Sequence, residues 1–482
     1  MGIKMKKLLW MAAFLVILGL CAAAGAEEWT VSPQGMSLEE ALAQCQDGDV
    51  ILLEEGVYAQ PREHFPLTVT RRVTLRPAEG AHPVIDAPQL QSALRIEADG
   101  VTLEGLEIRL RHIGLYAIGN DMKVHNCAFV LADPAWRTSS CAIWLGGIYR
   151  AELCGCDFTG CGPCMAGPPI SERSISLQLP VLTGMFEVGE EIEFFTTHTI
   201  TDCRVNGKPL YYIMHQEQVE APRDAGMLLC VDCGQVLAEG LDVSDSSMGM
   251  EIVYCQRVHV ENCRADRCGI FGIYLAKCGQ GLVKECTVAG TNHGIDIRAC
   301  ENVSLLRCAA DQCEQGLFFS KVNYSAMIDC TVTETGQGIF TAGGYGNLFC
   351  GCRVSCCENG FNIQKDTEAR LIDNEIMGCT VCGVRLDRSP TVFSGNTVRE
   401  NWTGVMAYGG VPFVIQDNLF DGNRSCGLFL RGIAYSQIVG NRFRNHEKTS
   451  VDARGDMAMS LWADNELDLP ITAEKTAVFD MQ

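Results

Sequence analysis

Cys154, Cys156, Cys161 and Cys164 form the pattern C-x-C-x4-C-x2-C, a spacing at which thiolates could enclose a soft metal ion. His198 and His215 follow downstream as further ligands for such a centre. A second chemistry comes from carboxylates. Glu251 and Asp296 lie two sequence repeats apart, about 9–10 Å if each repeat is one strand spacing, at the edge of the geometry for inverting hydrolysis. Asp366, Arg385, Asp387 and Arg388, with Gln364 and Lys365, come nearest to the base beside a calcium-binding acidic cluster that a lyase needs. The third chemistry is recognition without reaction. Tyr274, Asp296, Arg298, Phe318, Phe340, Gln364, Arg385, Asp387, Tyr408 and Arg431 interleave rings with forked polar groups, which suits a sugar's apolar face and its hydroxyls.

These residues are positioned by a repeat. From Gly249 to Gly427 the chain restates glycine, apolar, any, apolar: GMEI, GIYL, GIDI, GLFF, GIFT, GFNI, GVRL, GVMA and GLFL. The steps between these glycines are 21 to 23 residues. So short a period with period-two alternation predicts stacked coils of strands and turns, a parallel β-helix. In GIYLAKC, Ile273 and Leu275 point inward while Tyr274 and Ala276 face outward. The glycine before each strand fits a turn requiring positive φ.

Further columns keep the same step. Cys263, Cys286, Cys308, Cys330 and Cys352 are continued by Asn374, Asn396, Asn418 and Asn441. Five residues on come Cys268, Thr291, Cys313, Thr335, Cys357, Cys379, Asn401, Asn423 and Asn445, and a shorter column is Cys233, Cys255, Cys278 and Cys300. Stacked asparagines can bond from rung to rung, and a thiol fills the same space as a small hydrophobe. The first column extends backwards through Leu241, Cys203, Cys156, Cys127 and Leu106, giving about fourteen rungs and a length of roughly 60 Å. Cys156 and Cys161 fall on these columns, so packing already accounts for half of the metal pattern.

The N-terminus has Lys4, Lys6 and Lys7, an apolar run from Leu8 to Cys21, and Ala24-Gly25-Ala26. Residues 1–26 read as a cleaved secretory leader, with no later run long enough to span a membrane. The product is expected to be secreted, extracellular or periplasmic. Removing the leader takes the net charge from −21 to about −24, which argues against nucleic acid as a partner. Exported chains rich in cysteine usually carry disulfides, but here the columns explain the thiols without bridges. Residues 27–95 form an N-terminal cap and first coils, with Ser37-Leu38-Glu39-Glu40 opening a short helix through about Cys45. Residues 96–445 are the repeats, interrupted by an excursion at about 161–225, and 446–482 close the far end.

The blocks VNGKPLYYI (205–213), DAGMLLCVDC (224–233), GLDVSDSSMGMEIVYC (240–255) and VHVENC (258–263) resemble the NosD-like right-handed β-helix proteins, also described as carbohydrate-binding and sugar-hydrolase domains. The resemblance implies an all-β right-handed parallel β-helix of the pectin-lyase type. It favours glycan binding on the outward strand face, with a polysaccharide or cell-surface glycan as partner and no required cofactor. The alternatives are a polysaccharide lyase or glycoside hydrolase on the same face, a lyase adding Ca2+, and a periplasmic copper accessory using the 154–164 cysteines.

Overall fold

A computed structural model describes residues 26–88, 92–135, 140–166, 191–455, 457, 459–474 and 480–481. The expected leader lies almost wholly outside these residues, as do Gly167-Pro168-Pro169 and the apolar stretch 174–182 of the expected excursion. Among the described residues no helix is long and apolar enough to cross a membrane.

The chain winds into a parallel β-solenoid whose coils carry three short strands at three αL corners. Each corner repeats one left-handed position per rung. Before the first ladder column it is held by Asn262, Glu285, Arg307, Asp329, Gly351 and Asp373, all with φ between 50° and 66°. In the regular part the first face has six-residue strands such as Cys382–Asp387, the second four-residue strands such as Thr391–Ser394, and the third three-residue strands such as Thr397–Arg399. Pairing is in register: Val384 stacks on Val405 and Arg385 on Met406. The alternating residues therefore point inward as one column, and Leu317, Phe319, Phe361, Ile363, Val384 and Leu386 are fully buried.

The solenoid has about 19 turns rather than fourteen. The added coils, such as Gly56–Tyr58, Pro83–Asp86 and Thr449–Arg454, lack the glycine phrase but stack in the same way. The register is also not continuous. Leu106, Cys127 and Cys156 follow one another as expected, their carbonyls accepting from Ala128, Asp157 and Arg204. At Cys203 the carbonyl instead accepts from Leu210, because Arg204–Val205 turns back antiparallel against Lys208–Pro209. The step from Cys203 to Leu241 is broken there. Two buried apolar clusters result, one mainly before residue 231 and one mainly after 219.

Leu38–Gln44 is a helix with Ser37 as its N-cap. The Glu40 N–H donates to Ser37 Oγ at 3.1 Å and the Ser37 N–H to Glu40 Oε2 at 2.9 Å. Its Leu38, Ala41 and Leu42 enter the first core.

The asparagine column forms a hydrogen-bonded ladder. Asn396 Nδ2 donates to Leu371 O and to Asn418 Oδ1, while its Oδ1 accepts from the backbone N–H and side-chain Nδ2 of Asn374. Asn465 adds a further member beyond Asn441. In the other column the last member is His446, not Asn445. Asn445 takes the left-handed corner, φ 56°, and is exposed, while His446 Nδ1 accepts from the Asn423 N–H at 3.2 Å. The buried cysteines donate to carbonyls of their own rung or the one before, as Cys286 does to Val260 and Lys284. All 26 described cysteines are free thiols, with Cys356 alone exposed.

One expectation about backbone conformation fails. The phrase glycines, Gly249 through Gly427, do not have positive φ. They are excluded from carrying a side chain by space. A Cβ on Gly338 would stand 2.3 Å from Gly360 O and 2.8 Å from Val354, and each phrase glycine up to Gly404 meets the next rung's glycine carbonyl in this way.

Candidate functional site: the outward first face

Three side-chain columns project from the first face. One is the column of Glu251, Tyr274, Asp296, Phe318, Phe340, Asn362, Arg385, Met406 and Phe429, and beside it run Arg298, Ser320, Ala342, Gln364, Asp387, Tyr408 and Arg431. The third stands before the glycines and includes Phe271, His293, Gln315, Gln337 and Asn359. The face divides into a buried half and an open half.

In the buried half, Glu251, Tyr274, Asp296, Arg298 and Phe318 are at most 7% exposed. Asp296 is gripped from both sides. Arg298 Nε and Nη2 donate at 2.7 and 2.8 Å, and His293 Nδ1 lies 2.8 Å from Oδ2. Burial alone would raise this carboxyl, but the Arg298 charge and its hydrogen bonds, with His293, hold it below the usual range. The Arg298 guanidinium stands over Phe318 at 5.1 Å and over Phe271 at 5.5 Å, and Phe271 stacks on Tyr274 at 4.6 Å. Two rungs back, Glu251 receives one long N–H contact from Met165, 3.4 Å, and its Oε1 has no hydrogen-bond partner. Burial pushes this carboxyl well above the ordinary range. The two acids thus differ sharply, which their sequence neighbours do not reveal. The strand Pro163–Ala166 comes against this face through Met165. Tyr274, Asp296, Arg298 and Phe318 therefore point outward as expected, but in this structure are buried and present no open surface.

The open half runs from Phe340 to Arg454. Phe340, Gln364, Arg385, Asp387, Met406, Tyr408, Phe429 and Asp452 are partly exposed, and Arg431 and Arg454 are exposed. Amides cross it in a chain, Gln364 donating to Asn362 at 3.1 Å and Asn362 to Gln337 at 3.0 Å. Arg385 lies over Tyr408 at 5.6 Å and its Nε has no hydrogen-bond partner, while Arg454 lies over Phe429 at 5.3 Å. Tyr408 meets Phe429 edge to face, centroids 6.1 Å apart. Flat ring edges alternating with guanidinium and carboxylate groups can bind a polyhydroxyl ligand by stacking and forked hydrogen bonds.

Asp366 is not part of this surface. It occupies an inner corner column, fully buried, where Oδ2 accepts from Thr341 Oγ1 at 2.5 Å and from Asn347 at 3.1 Å. Burial raises its pKa. The reason is local: Asp366 follows the αL corner at Lys365, φ 50°, which turns the next side chain inward. The expected base-and-acid patch thus divides, leaving Arg385, Asp387 and Arg388 outside with a single carboxylate, Asp387. Arg388 Nε donates to it at 3.2 Å.

The four cysteines of the metal pattern do not converge. Cys154 is partly exposed on a strand, Cys156 donates to Val124 O, Cys161 donates to Phe129 O, and Cys164 lies buried in Pro163–Ala166. His198 is committed elsewhere, and His215 pairs with Asp232 at 2.9 Å. Among the described residues no three His, Cys, Asp or Glu side chains are grouped to hold a metal ion. Phe271 and His293, in the column before the glycine, are site residues that the repeat phrase passed over. Their signal was position: one residue before each phrase glycine they form a column paired from rung to rung.

Residues 199–353 and 249–391 match the family described as right handed beta helix region, and residues 345–456 match the periplasmic copper-binding protein NosD. The chain is thus a right-handed parallel β-helix, parts of which match these two family descriptions. Among solved structures it is similar to the pectate lyase Pel9A (12% identity, TM-score 0.23, covering 83% of this chain and 77% of that one). It is also similar to the periplasmic alginate epimerase AlgG (10%, 0.27, 92% and 83%). A third is the A-module of the Azotobacter vinelandii mannuronan C-5 epimerase AlgE6 (10%, 0.28, 89% and 90%). No curated protein matches the sequence. The donors in the NosD-matching segment do not fit a copper centre. Its one histidine, His446, is built into the ladder, and Cys352, Cys357 and Cys379 are buried with their thiols on carbonyls.

Proposed function

We propose that this is an exported glycan-binding β-helix protein that holds its ligand on the open half of the first face, between Phe340 and Arg431. The observation that carries the reading is the alternation there of partly exposed rings, Phe340, Tyr408 and Phe429, with Gln364, Arg385, Asp387 and Arg431 at one-rung intervals. Successive rungs about 4.8 Å apart offer a polymer repeated contacts along the solenoid axis. The unpaired Arg385 Nε–H is a donor that a sugar hydroxyl would satisfy. Export is supported by the N-terminal leader pattern and by the match to a periplasmic family. Lyase or hydrolase chemistry receives less support, because Asp296 is locked by Arg298 and His293, Asp366 faces inward, and Asp387 stands alone.

The test is a glycan-array screen of the purified mature chain with product analysis by mass. Binding without turnover is expected, weakened at least tenfold in Tyr408→Ala plus Phe429→Ala. Turnover of a bound glycan, or binding untouched by that double substitution, would refute the reading.

A further inference from the structure

We infer that the corner between the first and second faces carries a separate binding groove for an uncharged linear polysaccharide. It shares no residue with the open half of the first face and does not depend on that surface binding anything.

The groove has a volume of about 600 Å³, and Tyr324, Tyr345, Glu368, Pro390, Val392 and Pro412 define its wall. Tyr324 is 60% exposed and Tyr345 37%, on a chain whose other aromatic rings are mostly buried. The two rings meet edge to face, centroids 5.4 Å apart and planes at 72°. Glu368 lies beside the Tyr345 hydroxyl and raises its pKa. Tyr324 occupies a left-handed corner, φ 50°, where the next rung uses Gly346. A bulky residue in that conformation gains nothing for the core, since its side chain stands in solvent.

The chemistry of the groove selects its occupant. Glu368 and Arg370 are both exposed and balance in charge, so neither an anionic nor a cationic ligand is favoured. The chain as a whole carries −21, which opposes docking of a second copy. Pro390 and Pro412 continue the wall on successive rungs beside Val392 and Val414, giving a rigid apolar track parallel to the solenoid axis. From Tyr324 to Pro412 the corner column spans four rungs, about 19 Å. A neutral polymer of pyranose rings would stack on the tyrosines, run along the prolines and exchange hydrogen bonds with Glu368 and Arg370.

The experiment is affinity electrophoresis of the full chain through gels containing xylan, galactomannan or hydroxyethyl cellulose, with alginate and polygalacturonate as charged comparisons. At least one neutral polymer should retard the chain. Tyr324→Ala plus Tyr345→Ala should weaken that retardation at least tenfold, Tyr345→Phe by less than threefold, and Tyr408→Ala plus Phe429→Ala should leave it in place. Both tyrosines are exposed, so an unchanged circular-dichroism melt will verify the fold. The inference is overturned if no neutral polymer retards the chain, or if retardation survives loss of both tyrosines. It is equally overturned if sedimentation shows self-association that the double substitution abolishes, because a second copy would then be the occupant.

Discussion

His198 should make the junction between the two cores acid-labile. Its ring is 3% exposed, Nδ1 accepts from the Ala151 N–H at 3.1 Å, and Nε2 donates to Phe194 O at 2.9 Å. Both nitrogens are thereby committed to the neutral tautomer, and a proton on Nδ1 would face the Ala151 N–H. Burial lowers the pKa from 6.5 to about 4. A histidine depressed in the fold contributes stability that is complete above its unfolded pKa and is lost as the pH falls through the folded value. The window is therefore about pH 6.5 down to about 4, and at 1.36 kcal/mol per pH unit the loss is on the order of 3 kcal/mol. The assay is urea unfolding at pH 7.0, 5.5 and 4.5 for the wild type and His198→Gln, whose amide can still accept and donate. Other acids titrate equally in both proteins, so the difference isolates His198. Down to pH 4.5 the wild type should lose about 2.4 kcal/mol more than the variant. Parallel pH profiles would refute the argument, and would mean the ring is already charged or its pocket already wet.

Gly338→Ala should lower the urea midpoint strongly, by about 3 kcal/mol, because its Cβ would meet the rigid Gly360 carbonyl at 2.3 Å. Gly343→Ala, with φ 71° but nothing within 4 Å, should cost only about 1–2 kcal/mol, and an equal loss at both sites would remove the steric account. Asn396→Ala should cost about 3 kcal/mol or more in the same assay, since it strands Leu371 O and the Asn374 amide groups inside the core. Under native conditions one thiol, Cys356, should react rapidly with a water-soluble disulfide reagent, Cys154 and Cys350 more slowly, and the fully buried thiols only after unfolding. Rapid labelling of Cys286 or Cys308 in the native protein would contradict the ladder packing.

Much of the coil was legible in the chain because its determinants are local. Period-two alternation assigned Ile273 and Leu275 to the core, and the fixed step placed Asn374, Asn396, Asn418 and Asn441 in one ladder. Where one residue of offset mattered, the pattern misled. Asn445 took the αL corner and His446 the ladder, and Asp366 turned inward just past Lys365, because a corner reverses alternation within a single residue. The phrase glycines were recognised as obligatory, but the reason is the carbonyl of the neighbouring rung, a contact made only on stacking.

By itself the sequence determined the repeat length, the inward and outward columns and the polar ladders, since all three follow from bonding within one coil and from copying it. Only the tertiary structure decided which outward residues are open. Glu251 is covered through a contact with Met165, 86 residues away, and the hairpin at Arg204–Val205 breaks the register between the two cores. Tyr324 and Tyr345 belong to different repeats and meet only because 22-residue coils stack at their corners. Such contacts depend on how separate coils are laid against each other, and no period along the chain encodes that placement.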